Sequence, residues 1–251
     1  KAILNYWSNY PVELIILDGS DKKTNLIIKN KYNPKFKMSY YYEPISYSER
    51  IKKATYLNSR EYILLSADDE IFLPKGISRS IKFLEENLDF TSSNGQCYRV
   101  QKENNNLNLG KIYNKFESVN ATQFGKNMEE RVFNYFNDYV CATFYSVMRS
   151  DAWKKNFRKS FSISISCPFA IERILEFTNI AYGKCYVHNS VSWIRNGLNK
   201  PQYDSFDRSK TLSLWLKNKS FQKEHDEIKQ LILDYGFKKE KISFIFSRIF
   251  K

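Results

Sequence analysis

The sequence is poor in the residues that form disulfide frameworks and structural metal centres. Only two histidines are present, His188 and His225. The four cysteines lie 18 to 44 residues apart, and none of them forms a C-x-x-C pair. This spacing argues against a disulfide framework, a structural zinc site and a His-rich metal site. We expect buried free thiols, as in a cytoplasmic protein.

Long apolar runs and targeting signals are also missing. No uninterrupted apolar stretch has the roughly 20 residues that a helix needs to cross a bilayer. The first residues, Lys1-Ala2-Ile3-Leu4, show neither an initiator Met nor the layout of a signal peptide. We therefore interpret the chain as the inside of a longer protein and expect no membrane-spanning helix.

Positive charge and aromatic side chains are abundant. Hydrophobic residues make up 42% of the 251 residues and aromatic residues 16%, enough for a folded core. Forty Lys and Arg residues exceed 27 Asp and Glu residues, which leaves a net charge of +13. This charge favours polyanionic partners such as nucleic acid, an anionic membrane face or phosphorylated substrates. The alternative is that the many Lys residues reflect the overall composition bias of the chain and no partner, because Asn, Ile, Tyr and Phe are abundant too.

The first hundred residues alternate between predicted strands and helices. Val12 to Leu17 and Tyr62 to Leu65 are apolar runs closed by turn residues, the pattern of strands buried on both faces. Met38 to Tyr42 is a further strand candidate. A capping box opens a predicted helix from Ser46 to Asn58, and Pro74 is suited to begin the next helix. This alternation predicts an α/β fold with a mostly parallel sheet flanked by helices.

The pattern is weaker beyond residue 90. The polar, Asn-rich stretch from Gln101 to Gly110 is predicted to be a loop. A strand is then predicted at 144–148, helices at 151–157 and 168–177, and one or two strands at 181–194. From residue 204 onward the pattern predicts a helical C-terminal region. We expect one domain over residues 1–200, with halves of about 1–100 and 101–200, and a helical region over 201–251.

Acidic residues follow two of the predicted strands. Asp18 ends the first apolar run, and Asp68-Asp69-Glu70 follows the second. Ligands of open α/β sheets bind outside the carboxyl ends of parallel strands. Three adjacent carboxylates repel one another, and a divalent cation such as Mg²⁺ or Mn²⁺ relieves that repulsion. The alternatives are a solvated loop that caps the helix at Pro74, and ordinary turn chemistry at Asp18.

The stretch from Leu14 to Pro74 resembles the nucleotide-binding half of GT-A fold glycosyltransferases, close to the family 2 type of bacterial surface-polysaccharide enzymes. The matching segments are Ile15-Ile16-Leu17-Asp18-Gly19-Ser20, the capped helix Ser46 to Asn58, and the run from Tyr62 to Pro74. The resemblance covers about a quarter of the chain. That family opens with a further strand, and this chain begins after that point.

The resemblance implies roles for residues at both strand ends. Asp18 and Ser20 would contact the base or ribose of a sugar nucleotide, and Asp68 the ribose. Asp69 and Glu70 would bind Mn²⁺ or Mg²⁺. The resemblance thus implies a Rossmann-like GT-A sheet that holds a UDP-, GDP- or dTDP-linked sugar.

A general base is expected in the second half of the chain. An inverting transferase needs a carboxylate that takes the proton of the acceptor hydroxyl. Glu172 is the candidate, since the family places this acid near the start of a late helix, and Asp151 and Asp138 are weaker ones. The alternative for Glu172 is a surface position that pairs with Arg173. A retaining transferase would need no such base.

Two further features bear on the site and on its surroundings. His188 is a candidate third metal ligand, because several GT-A enzymes complete the metal or diphosphate site with a late His or basic residue, and Arg195 could serve there as well. The alternative is a partly buried, satisfied histidine. The segment 238–251 has the composition of an interfacial amphipathic helix, or of a helix that packs on the domain.

These observations predict a metal-dependent, hexosyltransferase-like glycosyltransferase of polysaccharide biosynthesis. It would move a sugar from a nucleotide-diphosphate donor to a glycan or lipid-linked glycan acceptor, in the cytoplasm or at the inner face of the membrane. The alternatives are a nucleotidyltransferase, which usually shows a Gly- and basic-rich loop that is not visible here, and a basic nucleic-acid-binding module. No nucleic-acid motif is present, so no nucleic-acid partner is expected.

Overall fold

The computed structural model describes residues 2–24, 34–68, 70–103, 106–111, 125–137, 139, 143–196 and 208–251. Nine α-helices and eight β-strands form an α/β fold in these residues. The chain divides into two units, Lys1–Arg60 and Glu61–Lys251, called unit 1 and unit 2 below. Asp69 and Asp138 lie outside the described residues.

Unit 1 contains a two-stranded parallel sheet. Its elements are α1 (Ala2–Trp7), β1 (Glu13–Asp18), β2 (Lys37–Tyr42) and α2 (Tyr47–Leu57). Asp18 and Tyr42 end the two strands side by side. Both strands are half-buried for most of their length, so the prediction that the first strand is buried on both faces is wrong. Two strands are too narrow a layer to be enclosed on both sides. The predicted capping box of α2 is confirmed: Ser46 N–H donates to Glu49 over 3.1 Å, and Glu49 N–H donates to the Ser46 hydroxyl.

Unit 2 is built on a mixed six-stranded sheet. Its strands are β3 (Tyr62–Ile63), β4 (Glu70–Phe72), β5 (Phe90–Glu103), β6 (Asn106–Lys111), β7 (Val147–Arg149) and β8 (Lys184–Asn196). They lie in the order β3-β7-β5-β8-β4, and β6 pairs with β5. Among the strands that the structure describes in this sheet, only β5 and β8 pair in parallel. The prediction of a mostly parallel sheet is therefore wrong.

Connection length explains one of the antiparallel pairs, that of β5 and β6. A parallel pair needs a crossover of about a dozen residues or more, usually with a helix, whereas a short link gives an antiparallel hairpin. Two residues separate β5 from β6, which pair antiparallel. The predicted loop from Gln101 to Gly110 is therefore wrong, because its backbone largely belongs to this strand pair. Strand preference is set by neighbours more than by composition, and an Asn-rich segment can pair when a partner strand lies beside it.

Helices cover the sheet of unit 2 and hold its main core. They are α3 (Pro74–Glu86), α4 (Met128–Asn137), α5 (Ser150–Ser160), α6 (Pro168–Tyr182), α7 (Arg208–Lys217), α8 (Gln222–Asp234) and α9 (Ile242–Ile249). Apolar side chains of α4, α6, α7, α8 and α9 form one buried cluster, which includes Phe177, Ile228 and Ile245. The predicted helical C-terminal region is present as α7 to α9.

The apolar face of α9 is part of this core. Ile242, Ile245, Ile249 and the following Phe250 are all buried. Two alternatives were given for the segment 238–251, and the burial of these side chains favours a helix that packs on the domain. Contact of the segment with a membrane stays a prediction. Within the described residues, no helix is both long and apolar enough to cross a membrane.

Candidate functional site

The carboxylate of Asp18 is held in place at the carboxyl end of β1. Its Oδ1 accepts hydrogen bonds from the backbone N–H of Ser20, over 3.0 Å, and from the Ser20 hydroxyl. Its Oδ2 accepts a hydrogen bond of 2.6 Å from the Tyr40 hydroxyl of β2. The Ser20 hydroxyl, Tyr40 and the Ser20 N–H together hold the pKa of Asp18 well below its usual range. Asp18 is therefore an ionised, half-buried acceptor at neutral pH.

Tyrosines of β2 fasten the loop that follows Asp18. The Tyr40 hydroxyl accepts from the backbone N–H of Thr24 at 3.2 Å, and the Tyr42 hydroxyl donates to the backbone oxygen of Asp21 at 3.0 Å. Tyr40 and Tyr42 share one face of β2, since side chains alternate along a strand. Their pairing with the loop depends on the register of the two parallel strands.

A guanidinium group lies on the same turn. The Arg50 side chain of α2 runs so close over Gly19 that a Cβ at that position would overlap it. Arg50 also donates to the backbone oxygen of Ile45. Unit 1 therefore presents an anionic acceptor, Asp18, and a cationic donor, Arg50, at the same turn. Both charges were visible in the sequence, but their proximity was not.

The acidic run of unit 2 divides into an exposed and a buried part. Asp68 is exposed on a turn that the Glu70 N–H closes by a weak 3.5 Å hydrogen bond to the Ala67 oxygen. Glu70 is the first residue of β4, and its side chain is only 2% exposed. Its Oε1 accepts from Nε of Arg195 at 2.8 Å, and the two residues face each other across β4 and β8. A cation bound by Glu70 would share this carboxylate with Arg195.

His188 is buried in β8, away from the acidic run. Seven positions of β8 separate it from Arg195, with a bulge between Val187 and Val191. Its Nε2 lies 3.1 Å from the Ser80 hydroxyl and its Nδ1 2.7 Å from the Ser190 hydroxyl. Burial, and next the positive charge of Arg79, lower the pKa of His188 to about 4. The structure does not bring His188 and Glu70 together, and the histidine is neutral and hydrogen-bonded on both ring nitrogens.

The second turn of α6 carries Glu172, which is half-buried. One turn later, the fully buried Glu176 accepts hydrogen bonds from the Tyr135 hydroxyl, at 2.6 Å, and from the N–H and hydroxyl of Thr143. Sequence reasoning missed Glu176, although a carboxylate within a largely apolar helix was a signal. Asp151, the weaker candidate base, is exposed in the first turn of α5.

The acidic turn is the name used below for Asp68 and Asp69. Carboxylate oxygens such as theirs are suitable donors for Mg²⁺ or Mn²⁺. Within the described ranges, no three His, Cys, Asp or Glu side chains lie close enough to share one ion. Asp69, the residue next to the exposed Asp68, is outside those ranges. The predicted metal site therefore stays a prediction that depends on this pair of aspartates.

No family model matches the chain, and a search of curated proteins found no relative. The function is therefore inferred from the residues of this chain and from their contacts.

Proposed function

We propose that the chain is a glycosyltransferase that binds a nucleotide-diphosphate sugar through Asp18 and transfers the sugar to a glycan acceptor. The observation that carries this proposal is the fixed, ionised carboxylate of Asp18 at the carboxyl end of a parallel strand pair. This is the end of a parallel sheet at which α/β proteins bind their ligands. The sequence resemblance between Leu14 and Pro74 supports the same function.

The chemistry around Asp18 suits a nucleoside. An ionised carboxylate is an acceptor only, and a nucleoside offers it the N–H groups of a base or the hydroxyls of a ribose. Ser20 and Tyr40 keep the carboxylate oriented, so little conformational entropy is lost when such a donor binds. The side chain of Arg50, which extends from α2 over Gly19, is a cation suited to a phosphate oxygen or to a base carbonyl. This combination favours a nucleotide over an uncharged sugar.

The acidic turn at Asp68 and Asp69 is the proposed place for Mn²⁺ or Mg²⁺. A divalent ion is a Lewis acid that can neutralise a diphosphate and favour its departure. Asp68 is exposed and available for a ligand. The buried Glu70 pairs with Arg195, and the buried His188 is hydrogen-bonded to Ser80 and Ser190. A metal ion bound by either of these two predicted ligands would compete with those partners.

Titration calorimetry with UDP, GDP, CDP and dTDP, with and without Mn²⁺, tests the proposal. We expect the chain to bind at least one of them, and Asp18→Asn to weaken that binding about tenfold, because a charge-assisted hydrogen bond is lost. Asp21→Asn is the matched control, since Asp21 is an exposed acid of the same loop, and it should leave binding unchanged. If the wild-type chain binds none of the four nucleotides, the proposal is wrong.

Two further assays separate the alternative functions. Salt-dependent, low-micromolar binding of single-stranded nucleic acid without nucleotide binding would favour the nucleic-acid-binding module. Release of diphosphate from a nucleoside triphosphate in the presence of a sugar phosphate would favour a nucleotidyltransferase.

Glu172 stays the candidate base for the acceptor hydroxyl. Its replacement by Gln removes the proton acceptor and keeps the size of the side chain. We expect Glu172→Gln to lower transfer at least about a hundredfold while the donor affinity is unchanged. Asp151→Asn is the control and should retain activity. Transfer that survives in Glu172→Gln would show that the base is another group or that none is needed.

A further inference from the structure

The carboxylate of Asp18 has few hydrogen-bond positions left for a ligand. A carboxylate has about four acceptor positions, two on each oxygen. The Ser20 N–H and the Ser20 hydroxyl both donate to Oδ1, and the Tyr40 hydroxyl donates to Oδ2. These are the hydrogen bonds that Asp18 accepts in the part of the chain that the structure describes. At most one position, on Oδ2, is therefore left for a donor of a ligand.

The Tyr40 hydroxyl is fixed from both sides. It donates to Asp18 over 2.6 Å and accepts from the backbone N–H of Thr24 over 3.2 Å. After the Ser20 hydroxyl, Tyr40 and the Ser20 N–H, the Thr24 N–H is the last of the donors that lower the pKa of Asp18, so it also faces this carboxylate. A second donor from a ligand would have to displace Tyr40 or Ser20. Such an exchange replaces one hydrogen bond by another and gains little.

The edges of the bases differ in the number of donors that they offer a carboxylate. Uracil and thymine have one N–H between two carbonyl oxygens, whereas guanine has an N–H next to an amino group and offers two adjacent donors. Cytosine has a ring nitrogen without hydrogen at this place, and a carboxylate repels its lone pair. The position left on Asp18 matches the single donor of uracil or thymine. The guanidinium group of Arg50, which extends over Gly19 and also donates to the Ile45 oxygen, is a donor for a carbonyl oxygen beside that N–H.

We infer that Tyr40 is a positioning residue that sets the base preference: by occupying Oδ2 of Asp18 it restricts the site to a base with one donor, which is uracil or thymine. This inference rests on the proposed function and names the base of its nucleotide. Specificity is a difference between affinities. Guanine loses affinity here because its amino group has no acceptor on Asp18, while uracil and thymine leave no donor of this edge unpaired.

Titration calorimetry of the full chain with UDP, dTDP, GDP and CDP tests the inference. It is done at one fixed Mn²⁺ concentration and again in EDTA; because all four carry the same diphosphate, any contribution of the ion cancels in the ratio of affinities. We expect UDP and dTDP to bind about tenfold more tightly than GDP and CDP, the effect of one hydrogen bond. Equal affinities for UDP and GDP overturn the inference and leave the proposed function standing. Binding of UDP without binding of dTDP also overturns it, since Asp18 would then contact the ribose 2′-hydroxyl.

Two variants free a position on Asp18 in different ways. Tyr40→Phe removes the donor to Oδ2, and Ser20→Ala removes the hydroxyl that donates to Oδ1 but keeps the N–H. We expect each to lower the ratio of UDP affinity to GDP affinity about tenfold, because guanine then finds a second acceptor. A merely structural role would lower both affinities together and leave this ratio unchanged, which overturns the inference. Ser20→Ala, at an exposed position of the turn, decides the matter if Tyr40→Phe folds poorly.

Tyr41→Phe is the matched control. Tyr41 is the next residue of β2, and its side chain points to the opposite face of the strand, where Lys53 lies 6.0 Å from the centre of its ring. The ratio of UDP affinity to GDP affinity should be the same in this variant and in the wild-type chain. A ratio that falls as far in Tyr41→Phe as in Tyr40→Phe contradicts the role of Tyr40. If the wild-type chain binds none of the four nucleotides, the proposed function itself fails.

Discussion

Four carboxylates of this chain lie in four different environments. Asp18 is half-buried and accepts three hydrogen bonds, and Asp68 is exposed on a turn. Glu70 is buried against a guanidinium group, whereas Glu176 is buried among hydroxyl and backbone donors. A buried carboxylate is held by the partners that compensate its desolvation. Asp18 and Asp68 are therefore the two of these four with access to a ligand.

The pH dependence of stability should show the burial of His188. Its pKa is about 4 in the folded chain, against an ordinary value of 6.5, so the unfolded chain binds more protons between these two values. The free energy of unfolding therefore rises with pH across this window. The contribution of His188 to the free energy of unfolding is fully present above pH 6.5 and is lost as the pH falls towards 4.

Urea unfolding of the wild-type chain and of His188→Gln between pH 4 and pH 8 measures this effect. Between pH 6.5 and pH 4 the free energy of unfolding of the wild-type chain should fall by about 3 kcal/mol more than that of the variant. Between pH 7 and pH 8 the two proteins should differ by a constant amount in their free energy of unfolding. Parallel curves over the whole range would mean that His188 titrates normally and is not buried as described.

Helix α3 lies against β8 without room for a side chain at Gly76. A Cβ at this position would be 2.5 Å from the Cα of Ser192. Gly→Ala in a helix ordinarily stabilises, because alanine has the better helix propensity. Here we expect Gly76→Ala to destabilise by about 2 kcal/mol, since the added carbon overpacks the contact between helix and strand. Urea unfolding measures the change. Ser78→Ala, at an exposed position of the same helix, is the control and should change stability little, so equal effects of the two substitutions would contradict the contact.

Local sequence signals predicted the helices better than the strands. The capping box at Ser46 and the proline at Pro74 mark the beginnings of α2 and α3, because these signals act within one turn of the chain. The apolar run from Tyr62 to Leu65 gives only the two-residue strand β3. Strand length and direction depend on a partner segment elsewhere in the chain, which a local pattern does not specify.

The two units differ in the depth of their cores. In the part of unit 1 that the structure describes, the buried apolar side chains are Leu4, Trp7, Phe36 and Ile51, and the two strands are mostly half-buried. Residues 92–97 of β5 are all buried. Backbone amides open more easily where few apolar contacts cover them. We expect the amides of β1 and β2 to exchange at least about tenfold faster than those of residues 92–97.

Hydrogen exchange followed by mass spectrometry measures this difference. If the proposed function is right, UDP with Mn²⁺ should slow exchange in residues 13–24, where Asp18 and its loop lie. The peptide that covers α8 serves as an internal reference, because its apolar residues belong to the core of unit 2. Equal protection of β1 and β5 would contradict the expected order of local stability.

The sequence by itself determined the α/β class, helices such as α2, α3 and α6, and the position of Asp18 at the end of a strand. Each of these follows from residues that are close along the chain, such as an apolar run followed by turn residues. Only the tertiary structure decided that the sheet of unit 2 is mixed, that Glu70 faces Arg195, and that Tyr40 donates to Asp18. These contacts depend on strand order and register. Both are set by how the whole set of strands and helices buries its apolar surface, and no local pattern records that.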